Sequence, residues 1–317
     1  MTAVHETSLL GGRRILLPAL CAAAFLLSPR GAIGAPAPQR IVSLAPSITE
    51  TLFALGVGPD VVGVSQYSDY PEAARRLPQV GTYLTPNVEA IVGMHPTLII
   101  GLVSSANLRA MRAFAGMGYS TVTVGEGTLA DIRDSITRIG HAVGRDDRAA
   151  ELITEINHHF VSIEKRLKQA NSPKVLMLVG HQPLVAVGSS TFLNELITMA
   201  HGDNIAANSG DAWPRLSIEY VLATAPAVII DGQMGSDASS PSDFWQKYPT
   251  IPAVKHRRLY GYSDDPLLKP GPRVWESLEI LAQMIHPELM SASAATSPPW
   301  LAPYVSSQQT PAIAEAH

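Results

Sequence analysis

The chain is poor in cysteine, in charge and in aromatic residues, and each shortage closes off a class of function. Its one cysteine, Cys21, lies in a leading apolar run. A chain processed after that run has no thiol, which excludes disulfides and thiol chemistry. Charged residues make up 16% of the sequence and the formal net charge is -4. No basic stripe appears, so the electrostatic footprint of a nucleic-acid binder is missing. Catalytic signatures are missing too: there is no G-x-S-x-G, H-E-x-x-H, phosphate-binding loop or G-x-G-x-x-G. His158 and His159 are adjacent on a helical stretch and cannot share one face as a metal pair. His95, His141, His201, His256 and His286 are expected at helix ends or turns, in surface or capping roles. A secreted hydrolase remains an alternative, with no spacing that selects a triad.

What is present begins with export. Arg13 and Arg14 precede the run ILLPALCAAAFLL at 15–27, and small residues follow in SPRGAIGAPAP. A basic region, a short apolar run and a small-residue exit predict a cleaved signal peptide over 1–35. The run falls short of the ~20 residues that span a bilayer. PALC, at 18–21, is a poor lipidation box. The tail at 291–317 is rich in Ser, Ala, Pro and Gln, lacks periodicity, and is expected to be disordered.

Between them, short aliphatic strands alternate with helices, which argues for parallel sheets with flanking helices. RIVSL, VVGVS, TLIIG and STVTVG are the strands of a first α/β lobe, 36–128. KVLMLVG, PAVIID and RRLYGYS are those of a second, 170–290. Ser47 and Glu50 read as an S-x-x-E capping box. From 129 to 169 apolar residues recur at three and four with no proline. This segment is expected to link the lobes as one long rigid helix, or as two in tandem near Gly144, about 60 Å if continuous. A ligand cleft is expected between the lobes.

One sentence of sequence is written twice. NVEAIVGMHPTLII at 87–100 and SIEYVLATAPAVII at 217–230 agree in kind at most positions. Each reads as a polar cap, a short helix, a proline and a buried strand. Glu89 and Glu219 occupy the same place in the first helical turn. There a carboxylate meets the helix dipole for ~0.3–1 kcal/mol.

Ligands of open α/β sheets bind beyond the carboxyl ends of strands. The loops there carry Tyr67, Tyr70, Tyr83, His181, Trp213, Asp264 and Arg273. Flat apolar surfaces with a few polar hooks suit a large organic ligand.

RIVSLAPSITETLFALGVG, VVGVSQYSDYPEAARRLPQVGTY, NVEAIVGMHPTLIIG and WPRLSIEYVLATAPAVII together resemble the periplasmic substrate-binding proteins of ABC importers, helical-backbone type. The resemblance covers nearly all of 39–289. YSDYP, Tyr83 and WPRLS most resemble the vitamin B12 (cobalamin) branch; haem and ferric-siderophore branches share the scaffold. The resemblance implies a periplasmic monomer, no enzyme activity and no cofactor. It implies capture of a small-molecule chelate and delivery to membrane permease subunits of an importer. It assigns the ligand to Tyr67, Tyr83, His181, Trp213, Asp264 and Arg273, and docking on permease arginines to Glu89 and Glu219. No protein metal ligand is implied for cobalamin, whereas Tyr83 and His181 are candidate axial ligands for haem. The linking helix implies little lobe movement on binding.

Overall fold

Alternate residues of the central strands enter different cores, and that alternation builds the molecule. A computed structural model describes residues 39–181, 183–232, 241–262 and 266–290. The expected signal segment and tail lie outside the described residues.

The first lobe runs β1 (Ile41–Ser43), α1 (Pro46–Ala54), β2 (Val61–Val64), α2 (Val88–Gly93), β3 (Leu98–Leu102), α3 (Ser105–Gly116) and β4 (Thr121–Val124). Its four strands pair in the order β2-β1-β3-β4, all parallel. Helices α4 (Leu129–Ala142) and α5 (Asp146–Arg166) follow. The second lobe runs β5 (Lys174–His181), β6 (Leu184–Ala186), α6 (Phe192–Met199), β7 (Asp203–Asn204), β8 (Arg215–Leu216), α7 (Ile218–Thr224) and β9 (Val228–Gly232). It ends with α8 (Pro241–Trp245), α9 (Pro252–Lys255), β10 (Leu259–Tyr262), α10 (Val274–Ile285) and α11 (Pro287–Met290). Its sheet has the order β10-β9-β5-β6-β8, with β7 beside β5.

On β3, Leu98, Ile100 and Leu102 face one core while Ile99 faces another with Ile91 and Phe114. On β9, Val228 and Ile230 share that first core, while Ile229 faces a third with Val221 and Trp245. This is the period-two alternation of a strand covered on both sides. The first core runs from Ile41 through Ile156 and Phe160 of α5 to Leu281 and Ile285. α2 and α7, the helices of the repeated sentence, therefore cover equivalent outer faces.

Of the two alternatives for 129–169, one continuous helix is ruled out and two in tandem near Gly144 are present. α4 ends at Ala142, Gly144 takes the left-handed conformation (φ 66), and α5 starts at Asp146. Glycine adopts that backbone without steric cost. A side chain at Gly140 would run within 2.5 Å of the Ala149 Cβ, so the two helices pack closely across the turn. The S-x-x-E at Ser47 is not the expected capping box. α1 starts at Pro46 after Ala45, with no side-chain cap. The Ser47 hydroxyl donates to Glu126 instead (2.7 Å), and Glu50 points to the other lobe.

α5 is fastened chiefly to the second lobe. His159 stacks on Trp275 of α10 at 3.9 Å and 12°. Arg166 pairs with Glu279 (3.0 Å) and donates to the Met290 carbonyl (3.1 Å). At its other end Arg148 donates to the Ala54 carbonyl of the first lobe (3.3 Å). Strand β6, antiparallel to both β5 and the edge strand β8, carries no signal in the sequence reading, and neither does β8.

Candidate functional site

Parallel strands put their carboxyl ends on one edge, and the first lobe's exposed rings collect there. Tyr67, Tyr70, Tyr83, Leu84 and Val103 are five of the ten exposed large apolar side chains among the described residues. Half of these large side chains thus stand on one loop cluster, a grouping expected of a binding surface rather than of scatter.

The loop after β2 is braced from beneath. Ser43, Thr49, Ser65 and Ser68 are buried, and their hydroxyls bond to one another at 2.8–3.1 Å. Each buried hydroxyl is thereby satisfied, which avoids a penalty of about 1–3 kcal/mol. Between Ser65 and Ser68 the chain turns outward at Tyr67, which has φ 64 and is 65% exposed. A left-handed tyrosine costs about 1–3 kcal/mol and persists only where its surroundings hold it. The Gln66 N–H donates to the Gly81 carbonyl (2.8 Å), joining this loop to the one carrying Tyr83. There Thr82 accepts from the amides of Leu84 and Thr85 at 3.2 and 2.9 Å. The buried side chain of Asn107 donates to the Tyr83 carbonyl. The structure thus brings Tyr67 and Tyr83 onto two hydrogen-bonded loops.

The second lobe contributes less of the described surface. Trp213 is exposed on the extended stretch leading into β8. Its flanks are pinned by Gly188 N–H to the Ala212 carbonyl and Ala186 N–H to the Pro214 carbonyl, both 2.9 Å. His181 is the last residue of β5, where its backbone pairs with Leu184; its side chain lies outside the described part. Asp264 falls outside the described residues. Among the described residues no group of three or more His, Cys, Asp or Glu could hold a metal ion.

Arg273 is largely enclosed. It caps the approach to α10 and reaches the first lobe, donating to Glu50 twice, Nε at 2.9 Å and Nη2 at 2.7 Å. Glu50 is 3% and Arg273 15% exposed. Its guanidinium also covers the Tyr70 ring, 3.9 Å from the centroid. Beside it Lys269 meets Asp69 at 3.6 Å. Glu50 and Tyr70 escaped the sequence reading as a pair. The available signal was a glutamate between Ile48 and Leu52 in a short helix with no other charged residue, a position that demands a partner once buried.

Glu126, after β4, is held above the usual carboxylate range by burial, against the bond from Ser47. His286 was expected at a helix end in a surface or capping role; it stands at the C-cap of α10 and is fully buried. Burial holds its imidazole below the usual histidine range, although Glu288 lies 3.5 Å away.

Glu89 and Glu219 are both exposed in the first turns of α2 and α7. Asn87 and Ser217 cap these helices, accepting from the amides of Ala90 (3.1 Å) and Tyr220 (3.2 Å). Each helix runs back from the carboxyl edge of its sheet to the next parallel strand. Both carboxylates therefore stand on the edge that carries the loops. The Glu219 carboxyl lies below the usual range, through its own backbone N–H and the Ser217 hydroxyl.

A family model described as "Periplasmic binding protein" matches residues 41–266. The chain is 30% identical over 259 residues to YvrC, an uncharacterised ABC transporter substrate-binding lipoprotein of Bacillus subtilis (79% of this chain, 81% of the relative). It is 27% identical over 270 residues to a vitamin B12-binding protein of Yersinia pestis (85% and 94%). Among solved structures it is similar to the apo periplasmic haem-binding protein RhuT of Roseiflexus sp. RS-1. That match has a TM-score of 0.71 at 29% identity, covering 79% of this chain and 99% of the other.

Proposed function

The chain belongs to the periplasmic binding protein family, and from that premise we propose that it captures cobalamin or a related corrinoid and delivers it to the membrane permease of an ABC importer. The observation that carries the ligand is the braced aromatic lip. Tyr67 and Tyr83 project from loops whose backbones are fixed by buried hydroxyls and by Asn107. Fixed rings offer a large planar ligand apolar area at little cost in ordering. The vitamin B12-binding relative supports the same ligand. Trp213 supplies a ring from the second lobe, with His181 and Asp264 as polar contacts. Arg273 serves the cleft through the loop it holds.

In this reading the protein is exported, works as a monomer and turns nothing over. Among the described residues no helix is long and apolar enough to cross a membrane. Glu89 and Glu219 are the docking carboxylates, one per lobe, each free to accept a bidentate arginine.

A second reading, haem, has a specific support: the haem-binding structure is similar over 79% of this chain, and Tyr83 and His181 are chemically able to ligate iron. One experiment separates the two. The purified protein is incubated with cyanocobalamin, haem or a ferric siderophore, desalted, and its spectrum recorded. The expected outcome is one corrinoid per chain, unchanged in absorbance over time. A retained haem whose Soret band moves in Tyr83→Phe or His181→Ala would replace cobalamin with haem. Retention of none would sink the capture reading.

A further inference from the structure

The Glu50–Arg273 pair spans 223 residues of sequence and joins α1 of the first lobe to the start of α10 in the second. Such a pair is costly to bury, and the cost is offset only where every face of the charges is satisfied. Here they are. Nε and Nη2 of Arg273 hold both oxygens of Glu50, and Nη1 lies 3.6 Å from Glu276. The flat face of the guanidinium lies on Tyr70. Tyr70 is three residues from Tyr67, and its neighbour Asp69 meets Lys269 of the second lobe. Two consecutive residues of the Tyr67 loop are thus held by the opposite lobe. The other end of the loop is held by Ser65 and Ser68 within its own lobe.

We propose that Glu50, Arg273 and Tyr70 form a clasp between the lobes that positions the 66–71 loop, so that Tyr67 is presented in its binding geometry before any ligand arrives. The clasp rests on the capture reading for its purpose, since that reading makes Tyr67 a binding ring. Its mechanical content does not. Arg273 is a positioning residue here, acting on the ligand through Tyr70 and the loop.

Removing Arg273 alone strands a buried carboxylate and risks the fold. The test therefore uses two gentler variants of the full chain. Glu50→Met with Arg273→Met replaces the pair by apolar groups of similar length. Tyr70→Ala removes the ring and leaves the ion pair, and Tyr70→Phe keeps the ring. Amide hydrogen exchange is followed without ligand over 66–70, with β3 as the internal reference. The expected result is about tenfold faster exchange in 66–70 in the double variant and in Tyr70→Ala, with β3 unchanged and Tyr70→Phe like the parent. Cyanocobalamin, as the probe, then binds about tenfold more weakly to the same two variants, because the loop must be ordered on binding. Unchanged loop exchange in both variants overturns the clasp. So does an increase that spreads equally to β3, which marks the pair as core support. If the parent protein does not retain cyanocobalamin, the corrinoid reading falls, while the exchange result still decides the clasp.

Discussion

The two copies of the repeated sentence, 87–100 and 217–230, differ less in structure than in sequence. Each has a side-chain cap, a two-turn helix on an outer sheet face, a left-handed residue before proline, and a buried parallel strand. That residue is His95 (φ 49) in the first copy and Ala225 (φ 51) in the second. Neither is glycine, although glycine fits that backbone best. The pattern of burial matches too: Ile91 and Val221 point inward, Glu89 and Glu219 outward. What differs is the support. The first copy covers an all-parallel sheet; the second leads out of an edge strand, and its Tyr220 hydroxyl donates to the Ile205 carbonyl (2.7 Å). The lesson is that cap, proline and strand answer to architecture, while the matched glutamates stay exposed at the helix starts, Glu219 touching its own backbone N–H and the Ser217 cap.

The comparison breaks most visibly if the glutamates do different jobs. Glu89→Arg and Glu219→Arg are each expected to reduce ligand delivery by roughly tenfold or more, and the double variant to abolish it. Cyanocobalamin retention should stay at the parent level in all three. Uptake by vesicles carrying the cognate importer measures the first, and retention after desalting the second. Equal losses from the two sites would make the copies equivalent in function. Loss from one site alone would make the second copy a purely structural echo.

A smaller effect separates the lobes by pH. The first lobe's one histidine, His95, is exposed, whereas the second hides His286. The folded state lowers the affinity of His286 for a proton. The unfolded chain therefore binds more protons as the pH drops below the ordinary histidine value. Stability is fully present above about 6.5 and declines as the pH falls below it, by at most ~1.4 kcal/mol per pH unit. Urea unfolding at pH 7.5 and 5.5 should show this loss, and His286→Phe should reduce it. An unchanged pH slope in that variant would assign the loss to other groups.

The smallest test concerns the two left-handed residues. His95→Gly and Ala225→Gly should each raise stability by up to ~1 kcal/mol, since glycine carries no steric penalty there. Similar shifts in the urea midpoint would confirm that the turn is the same in both copies. Opposite signs would show that one copy's helix end is held by something the other lacks.

Much of this was legible locally. Period-two strands, the Asn87 and Ser217 caps, the prolines and the two lobes all follow from neighbours within a few residues. The tyrosines of 66–83 were legible by their place after strands. Failures arose where a distant partner outbid a local rule. Ser47 and Glu50 satisfy the capping pattern, yet Glu126 and Arg273 take their side chains. Gly144 was visible as a break point, but whether a helix bends or ends there depends on the Gly140–Ala149 contact across the turn. β6 and β8 are three and two residues long, too short to show a period. His286 follows an apolar helix whose burial continues past its end, and nothing local marks where burial stops.

The shared core has a consequence for how the molecule comes apart. Ile41 and Leu98 of the first lobe, Ile156 of α5, and Leu281 of the second belong to one uninterrupted apolar cluster. Loosening either half exposes the other half's lining to water. The lobes are thus separate as binding surfaces and indivisible as folding units. Neither can be expressed alone without leaving an open hydrophobic wall.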